Sequence, residues 1–225
     1  FCDWMGLTEE DCGRLLAFWT SLHELGKATP SFQAKHIPSK EQLTAMGFDF
    51  PFLAPAGIRH HSLLSQWILS DFNEILEIQP VCLFKLLRFA IGGHHGTFHI
   101  QEDLQLDLDR EKNLGGQRWS VARLELVWAL KTLMAPPRLM PLNLDQTEQN
   151  AFFNLLTGFF VSADWLASQD DLFEYHPATL SPKDYLQVSG QRADLALTRT
   201  GWSGWQPDRE TPTFRELFSF DPRPL

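Results

Sequence analysis

Leu15, Phe18, Trp19, Leu22 and Leu25 recur at helical spacing, and the run they define ends on His23-Glu24-Leu25-Gly26. A chain patterned this way commits a long early segment to one buried helical face. Thr8 is a suitable N-cap, and Glu9, Glu10 and Asp11 complement the positive end of the helix dipole. Gly26 offers a stop. A core helix is therefore expected over 8–25, with His23 and Glu24 on its last turn, near the surface of whatever it packs into.

The same period returns along the chain. Leu64, Trp67, Ile68, Phe72, Ile75 and Leu76 predict a helix over 57–78, and a strongly apolar one follows over 81–91, ended by Gly92-Gly93. Segment 117–134 is helical until Ala135-Pro136-Pro137 stops it. Segment 144–168 is capped by Asp145 and buried through Phe152, Phe153, Leu156, Phe159, Phe160 and Leu166. A further helix over 181–201 starts at Ser181 with Pro182 in its first position. Between these, the Pro- and Gly-rich 28–57 is expected as a long ordered loop with one short helix near 40–46, pinned to the core by Phe32, Phe48, Phe50 and Phe52. The acidic 100–116 lacks the glycine-centred oxygen pattern of a calcium loop and is expected as a solvated loop. The fold class is all-α, with one domain over 1–200.

Five of the eight histidines fall in short islands: His23-Glu24, Arg59-His60-His61 and Gly92-Gly93-His94-His95-Gly96. A fourth island, Ser162-Ala163-Asp164-Trp165, adds a carboxylate. Imidazoles and carboxylates together are ligand chemistry for divalent transition metals. Neighbouring side chains on a helix diverge by ~100°, so His60 and His61 are not expected to enter one site. A glycine turn with left-handed angles would let His94 and His95 converge. Asp164, in an apolar helix, carries a desolvation cost unless it is metal-bound or paired, for instance with Arg59. His23-Glu24-Leu25-Gly26-Lys27 is not the zinc-protease helix motif, which needs a second histidine where Lys27 stands.

In order, the string H-[acid]-x-G-K-A-T-P-x-F-Q from His23 to Gln33, the later R-H-H-x-x-x-S, the G-G-H-H-G turn and S-A-D-W-L-A-S resemble the HD superfamily of metal-dependent phosphohydrolases. More narrowly, they resemble the HD nuclease domain of the CRISPR-associated helicase-nuclease of type I interference systems, over roughly 15–225. The resemblance implies an HD-domain helical bundle with a metal site between helices. It implies up to two divalent ions, manganese, cobalt, nickel or iron, with magnesium possible. By the same resemblance His23 binds one ion, Glu24 bridges both and Asp164 completes the first, while His61, His94 and His95 hold the second. His61 rather than His60 matches the family's pattern through Ser65, and Lys27 would contact phosphate as a point charge. The catalytic set is then His23, Glu24, Lys27 and Asp164. The implied substrate is single-stranded DNA exposed by a Cascade-type guide-RNA complex and fed by a helicase domain in cis or trans.

Two departures stand out. The family has Asp where this chain has Glu24, and it has an upstream histidine, whereas no residue before His23 here is a histidine. The second ion is therefore expected to be held and the first weakly or not at all. An HD nucleotide phosphohydrolase, or a degenerate HD domain serving as a docking module, are the alternatives.

The net charge of -9 argues for weak DNA affinity by this chain alone, since phosphate binding is normally driven by basic surface. Bound divalent ions would invert the local sign, and a partner would deliver the strand. No apolar run approaches the ~20 residues of a membrane span. Cys2, Cys12 and Cys82 are scattered, which fits reduced thiols in a cytoplasm. Phe1 reads as a cut end, 201–225 as a connector toward a helicase core, and the absence of a Walker-type loop means no ATP binding is expected here.

Overall fold

A computed structural model describes residues 1–99, 109–173, 180–203, 213 and 215, and among these it contains helices and no strand. Two compact units divide at Ser168 and Gln169. The first holds α1 (Cys2–Met5), α2 (Glu9–Ser21), α3 (Pro30–Gln33), α4 (Ile37–Ala45) and α5 (His61–Leu69). It continues with α6 (Asn73–Leu76), α7 (Val81–Gly92), α8 (Arg110–Leu114), α9 (Gln117–Met134) and α10 (Gln146–Ala167). The second unit contains α11 (Pro182–Arg199), capped by Ser181, whose hydroxyl accepts the Asp184 N–H. The all-α expectation holds.

α5 is the centre of the first unit: every one of its nine residues is buried. A helix covered on all sides must be apolar all round or have its polar groups paired. Leu64, Trp67, Ile68 and Leu69 meet the first condition, and Ser65 and Gln66 require the second. α7 packs along α5, α10 packs on α7, and α2 packs on α9. Trp19, Phe152 and Phe160 fill the space between them, and each large side chain removed from water contributes ~1.5–3 kcal/mol.

Several expected boundaries shift. α2 ends at Ser21, and the chain tightens into a 3-10 turn over Leu22–Lys27. His23 and Glu24 therefore stand on 3-10 geometry, where residues three apart eclipse each other and Glu24 is aligned with Lys27. Segment 57–78 is broken: α5 stops at Leu69, and the Ser70 hydroxyl donates to the Trp67 carbonyl at 2.5 Å, a bond that competes with the helical ladder. Segment 28–57 holds more helix than expected, because Pro30 and Pro38 occupy first-turn positions, where proline starts helices. Phe48 and Phe50 pack on Trp119 with ring centroids 4.7 and 5.5 Å away, whereas Phe52 is 85% exposed and pins nothing. Phe159 is likewise 39% exposed.

α10 begins on a capping box, with Asp145 and Glu148 each accepting the other's backbone N–H. Its length carries Asp164 to the end of the bundle where His23 lies. α8 occupies part of the expected acidic loop, whose residues 100–108 lie outside the described set, as does nearly all of the expected connector over 201–225. Among the described residues, no helix is long and apolar enough to cross a membrane.

Candidate metal centre

His23, 9% exposed, is oriented from its own turn. Its Nδ1 bonds the Thr20 carbonyl, which leaves Nε2 facing inward. Nε2 lies 3.4 Å from Glu24 Oε1 and 3.5 Å from Asp164 Oδ1. Glu24 divides its carboxylate. Oε2 pairs with the Lys27 ammonium one turn on, while Oε1 sits 3.4 Å from His61 Nε2 and 4.0 Å from His94 Nε2. Burial pushes the Glu24 carboxyl up, but the neighbouring His61, Lys27 and His23 side chains outweigh it and hold it at about 2.

His94 repeats the His23 arrangement on another element. Its Nδ1 meets the Ile91 carbonyl at 2.5 Å, and its Nε2 comes 3.4 Å from His61 Nε2. His95 Nε2 reaches the same His61 nitrogen at 3.1 Å. Burial pushes His94 down to about 4, with the Ile91 carbonyl opposing, and burial and His61 push His95 down as well. Both rings are thus kept neutral, as a ligand requires.

The glycines around this pair serve a different purpose from the one expected. Of Gly92, Gly93 and Gly96 only Gly96 is left-handed, with φ 79°, and it follows both histidines. A Cβ on Gly92 would lie 2.1 Å from Gln66 Oε1, and one on Gly93 would lie 2.3 Å from the Phe98 ring. Close packing, not unusual backbone angles, is what requires glycine before His94.

All seven residues singled out from the sequence, His23, Glu24, Lys27, His61, His94, His95 and Asp164, come together here. His60 was set aside because neighbouring helical side chains diverge and because His61 matches the family's pattern, and the first of these grounds does not apply. His60 is the N-cap of α5, with φ -68° and ψ 144°, so it lies outside the helix. Its ring centroid is 4.3 Å from that of His61 and 4.7 Å from that of His95. Burial, then His61 and His95, push it down to about 4.

The donor set fits a divalent ion. His23 Nε2 and Glu24 Oε1 are buried and lack a hydrogen-bond partner, a costly state unless another group accepts their lone pairs. His61 Nε2 faces His95 Nε2 at 3.1 Å and His94 Nε2 at 3.4 Å and has at most one N–H to donate between them. Among the described residues, three groups bring their ligand atoms within 4.8 Å of one another: His60, His61 and His95; His23, Glu24 and His94; and His94, His95 and Asp164.

The family model described as Cas3, HD domain, matches residues 1–173. The chain belongs to the Cas3 HD-domain family. A curated Cas3 relative, the CRISPR-associated endonuclease/helicase Cas3 of Thermus thermophilus, is 28% identical over 99% of this chain and 23% of its own length. A crystal structure of a CRISPR-associated protein matches with TM-score 0.78 and 26% identity over 99% of this chain and 24% of that one. The Thermus thermophilus Cas3 HD domain, solved in the presence of Ni2+, matches with TM-score 0.60 and 24% identity over 90% of this chain and 74% of that one. The chain spans about a quarter of the length of the curated Cas3 relatives it matches.

Proposed function

We infer that this Cas3 HD domain is a metal-dependent nuclease that hydrolyses phosphodiester bonds of single-stranded DNA in type I CRISPR interference against foreign DNA. The observation that carries the reading is the convergence of imidazole nitrogens and two carboxylates on orphaned, buried lone pairs at the end of the bundle. His23, Glu24, His61, His94, His95 and Asp164 would hold the ions, of manganese, cobalt, nickel, iron or magnesium. Bound there, a pair of divalent ions supplies Lewis-acid activation of water and neutralises charge on the scissile phosphate.

The chain's own residues prepare that chemistry. The Thr20 and Ile91 carbonyls fix the tautomers of His23 and His94, so each presents an unprotonated Nε2. Lys27, half-buried, neutralises one oxygen of Glu24 and keeps an ammonium at the rim, where a phosphate oxygen would approach. The net charge of -9 disfavours capture of DNA by the surface. A helicase, reached through 201–225, and a Cascade-type guide-RNA complex in the cytoplasm would therefore bring the strand.

The test is nicking of circular single-stranded DNA by this chain with manganese, cobalt or nickel, against EDTA and a His94→Ala/His95→Ala variant. Metal-dependent nicking that disappears in the variant is expected. No nicking with any of these ions, from a folded and metal-loaded chain, would overturn the reading in favour of a docking role.

A further inference from the structure

Lys35 is a cation for which the metal centre itself has no use. It is exposed, and none of the ion pairs formed among the described residues includes it. Its ammonium stands 4.8 Å from the centroid of the Phe32 ring. That ring packs edge-on against His61, with 5.6 Å between centroids and 77° between planes, and Lys27 Nζ approaches it at 5.7 Å. The charge of Lys35 also reaches His60, where it adds to burial and to His61 and His95 in holding that ring down to about 4.

The backbone fixes this placement. The Thr29 hydroxyl accepts the Phe32 N–H at the start of α3, and Gln33 Nε2 donates to the Lys27 carbonyl at 2.9 Å, tying α3 back to the turn that carries Glu24. The chain then bends, and the Lys35 N–H donates to the Phe32 carbonyl at 3.1 Å. The Lys35 stem therefore starts beside the ring that its ammonium covers.

Two ammoniums against one ring repel each other, and cation–π attraction at an exposed site is weak. Glu24 neutralises Lys27, and no carboxylate among the described residues does the same for Lys35. An unpaired cation beside a centre that gathers dications opposes ion binding. It favours an anion laid across the rim, and in a chain of net charge -9 it is a local exception.

We propose that Lys35 is a substrate-binding residue, which holds the strand phosphate next to the one that Lys27 meets. The proposal rests on the nuclease reading given above and adds a requirement on the substrate. A dinucleotide with a single phosphodiester cannot engage Lys35 and the metal centre together, whereas a longer strand can. The contact reads backbone charge and not base identity.

Two measurements on the manganese-loaded chain test this. Fluorescence anisotropy with a phosphorothioate-linked oligothymidylate, which keeps the backbone charge and resists hydrolysis, gives strand affinity as a function of salt. Cleavage kcat/KM is then compared between ordinary oligothymidylate and the thymidine dinucleotide without terminal phosphates. In Lys35→Gln, strand affinity is expected to fall about tenfold at low salt, with the log–log salt slope reduced by ~0.7, the share of one single-strand phosphate. The kcat/KM advantage of the oligonucleotide over the dinucleotide should shrink by a similar factor. Lys35→Arg, which restores the charge, should restore both. A parental salt slope and a parental advantage in Lys35→Gln would overturn the proposal, as would a Lys35→Arg variant that falls as far as Lys35→Gln. A folded, manganese-loaded parent that binds the strand but hydrolyses neither substrate would instead overturn the nuclease reading.

Discussion

A Cβ on Gly26 would lie 1.9 Å from the carbonyl oxygen of His61 and 2.7 Å from its carbonyl carbon. The turn that carries His23 and Glu24 rests backbone against backbone on the first turn of α5. Neither side of that contact can swing away as a side chain would. Gly26→Ala is therefore expected to push the turn off α5, costing ~1–3 kcal/mol and lowering Tm by ~2–4 °C per kcal/mol. Metal affinity should fall with it, because His23 and Glu24 would retreat from His61. Thermal melts paired with metal titration check this, and an alanine variant with parental Tm and affinity contradicts it.

Ser65 fastens the same contact. Its hydroxyl, 0% exposed, accepts the Gly26 N–H at 2.8 Å and donates to the His23 carbonyl at 2.6 Å. Ser65→Ala would leave a buried N–H and a buried carbonyl without that partner, a loss of ~1–3 kcal/mol. Urea unfolding should show a lower midpoint with an unchanged slope. A midpoint equal to the parent's would mean that the turn finds other partners.

The long helices were legible in the sequence because their ends carry local signals. Asp145 and Glu148 cap α10, and Pro136 and Pro137 follow α9. The 3-10 turn over Leu22–Lys27 was not legible. Leu22 and Leu25 are three apart, a spacing that suits both helix types, and what selects the tighter one is contact with α5, far away in sequence. The placement of His60 was not legible for a similar reason. Its direction depends on one pair of backbone angles at the N-cap, and no spacing rule contains them. The cluster of His23, Glu24, His61, His94, His95 and Asp164 was recoverable as a set, whereas which of these residues lie nearest to one another needed distances.

Acid should destabilise the metal-free domain in two stages. His60 and His94 stand at about 4 against an ordinary 6.5. Between those values the unfolded chain takes up protons that the fold refuses, so stability falls as pH drops through that window. His94, 2% exposed, carries more of this than the exposed His60. Glu24, held at about 2 against an ordinary 4.5, acts lower. Its share is present above 4.5 and is lost as pH falls toward 2. Melting in EDTA from pH 8 to 3 should show a plateau above 7 and a continuous decline below it. A Tm that does not change between pH 7 and 4 would contradict the histidine assignment.

Glu24 and Lys27 are expected to make opposite contributions to ion binding, and paired variants separate them. Glu24→Gln keeps the shape but removes the charge, so metal affinity is expected to fall ~10–100-fold. Lys27→Met removes an ammonium bonded to the oxygen opposite the one that faces His23 and His61. If Lys27 acts as a charge, its loss relieves repulsion on an incoming dication and binding tightens several-fold, while DNA cleavage slows because the phosphate loses a cation. If it acts instead by holding the Glu24 carboxylate in line, binding weakens in Lys27→Met as it does in Glu24→Gln. The stacking of Lys27 over Phe32, 5.7 Å from the ring centroid, and of Phe32 against His61, 5.6 Å between centroids, gives the ammonium a second anchor besides Glu24. An ammonium anchored twice keeps its place when Glu24 turns toward an ion, so the tightening is the expected result, read by competition titration with a metal indicator.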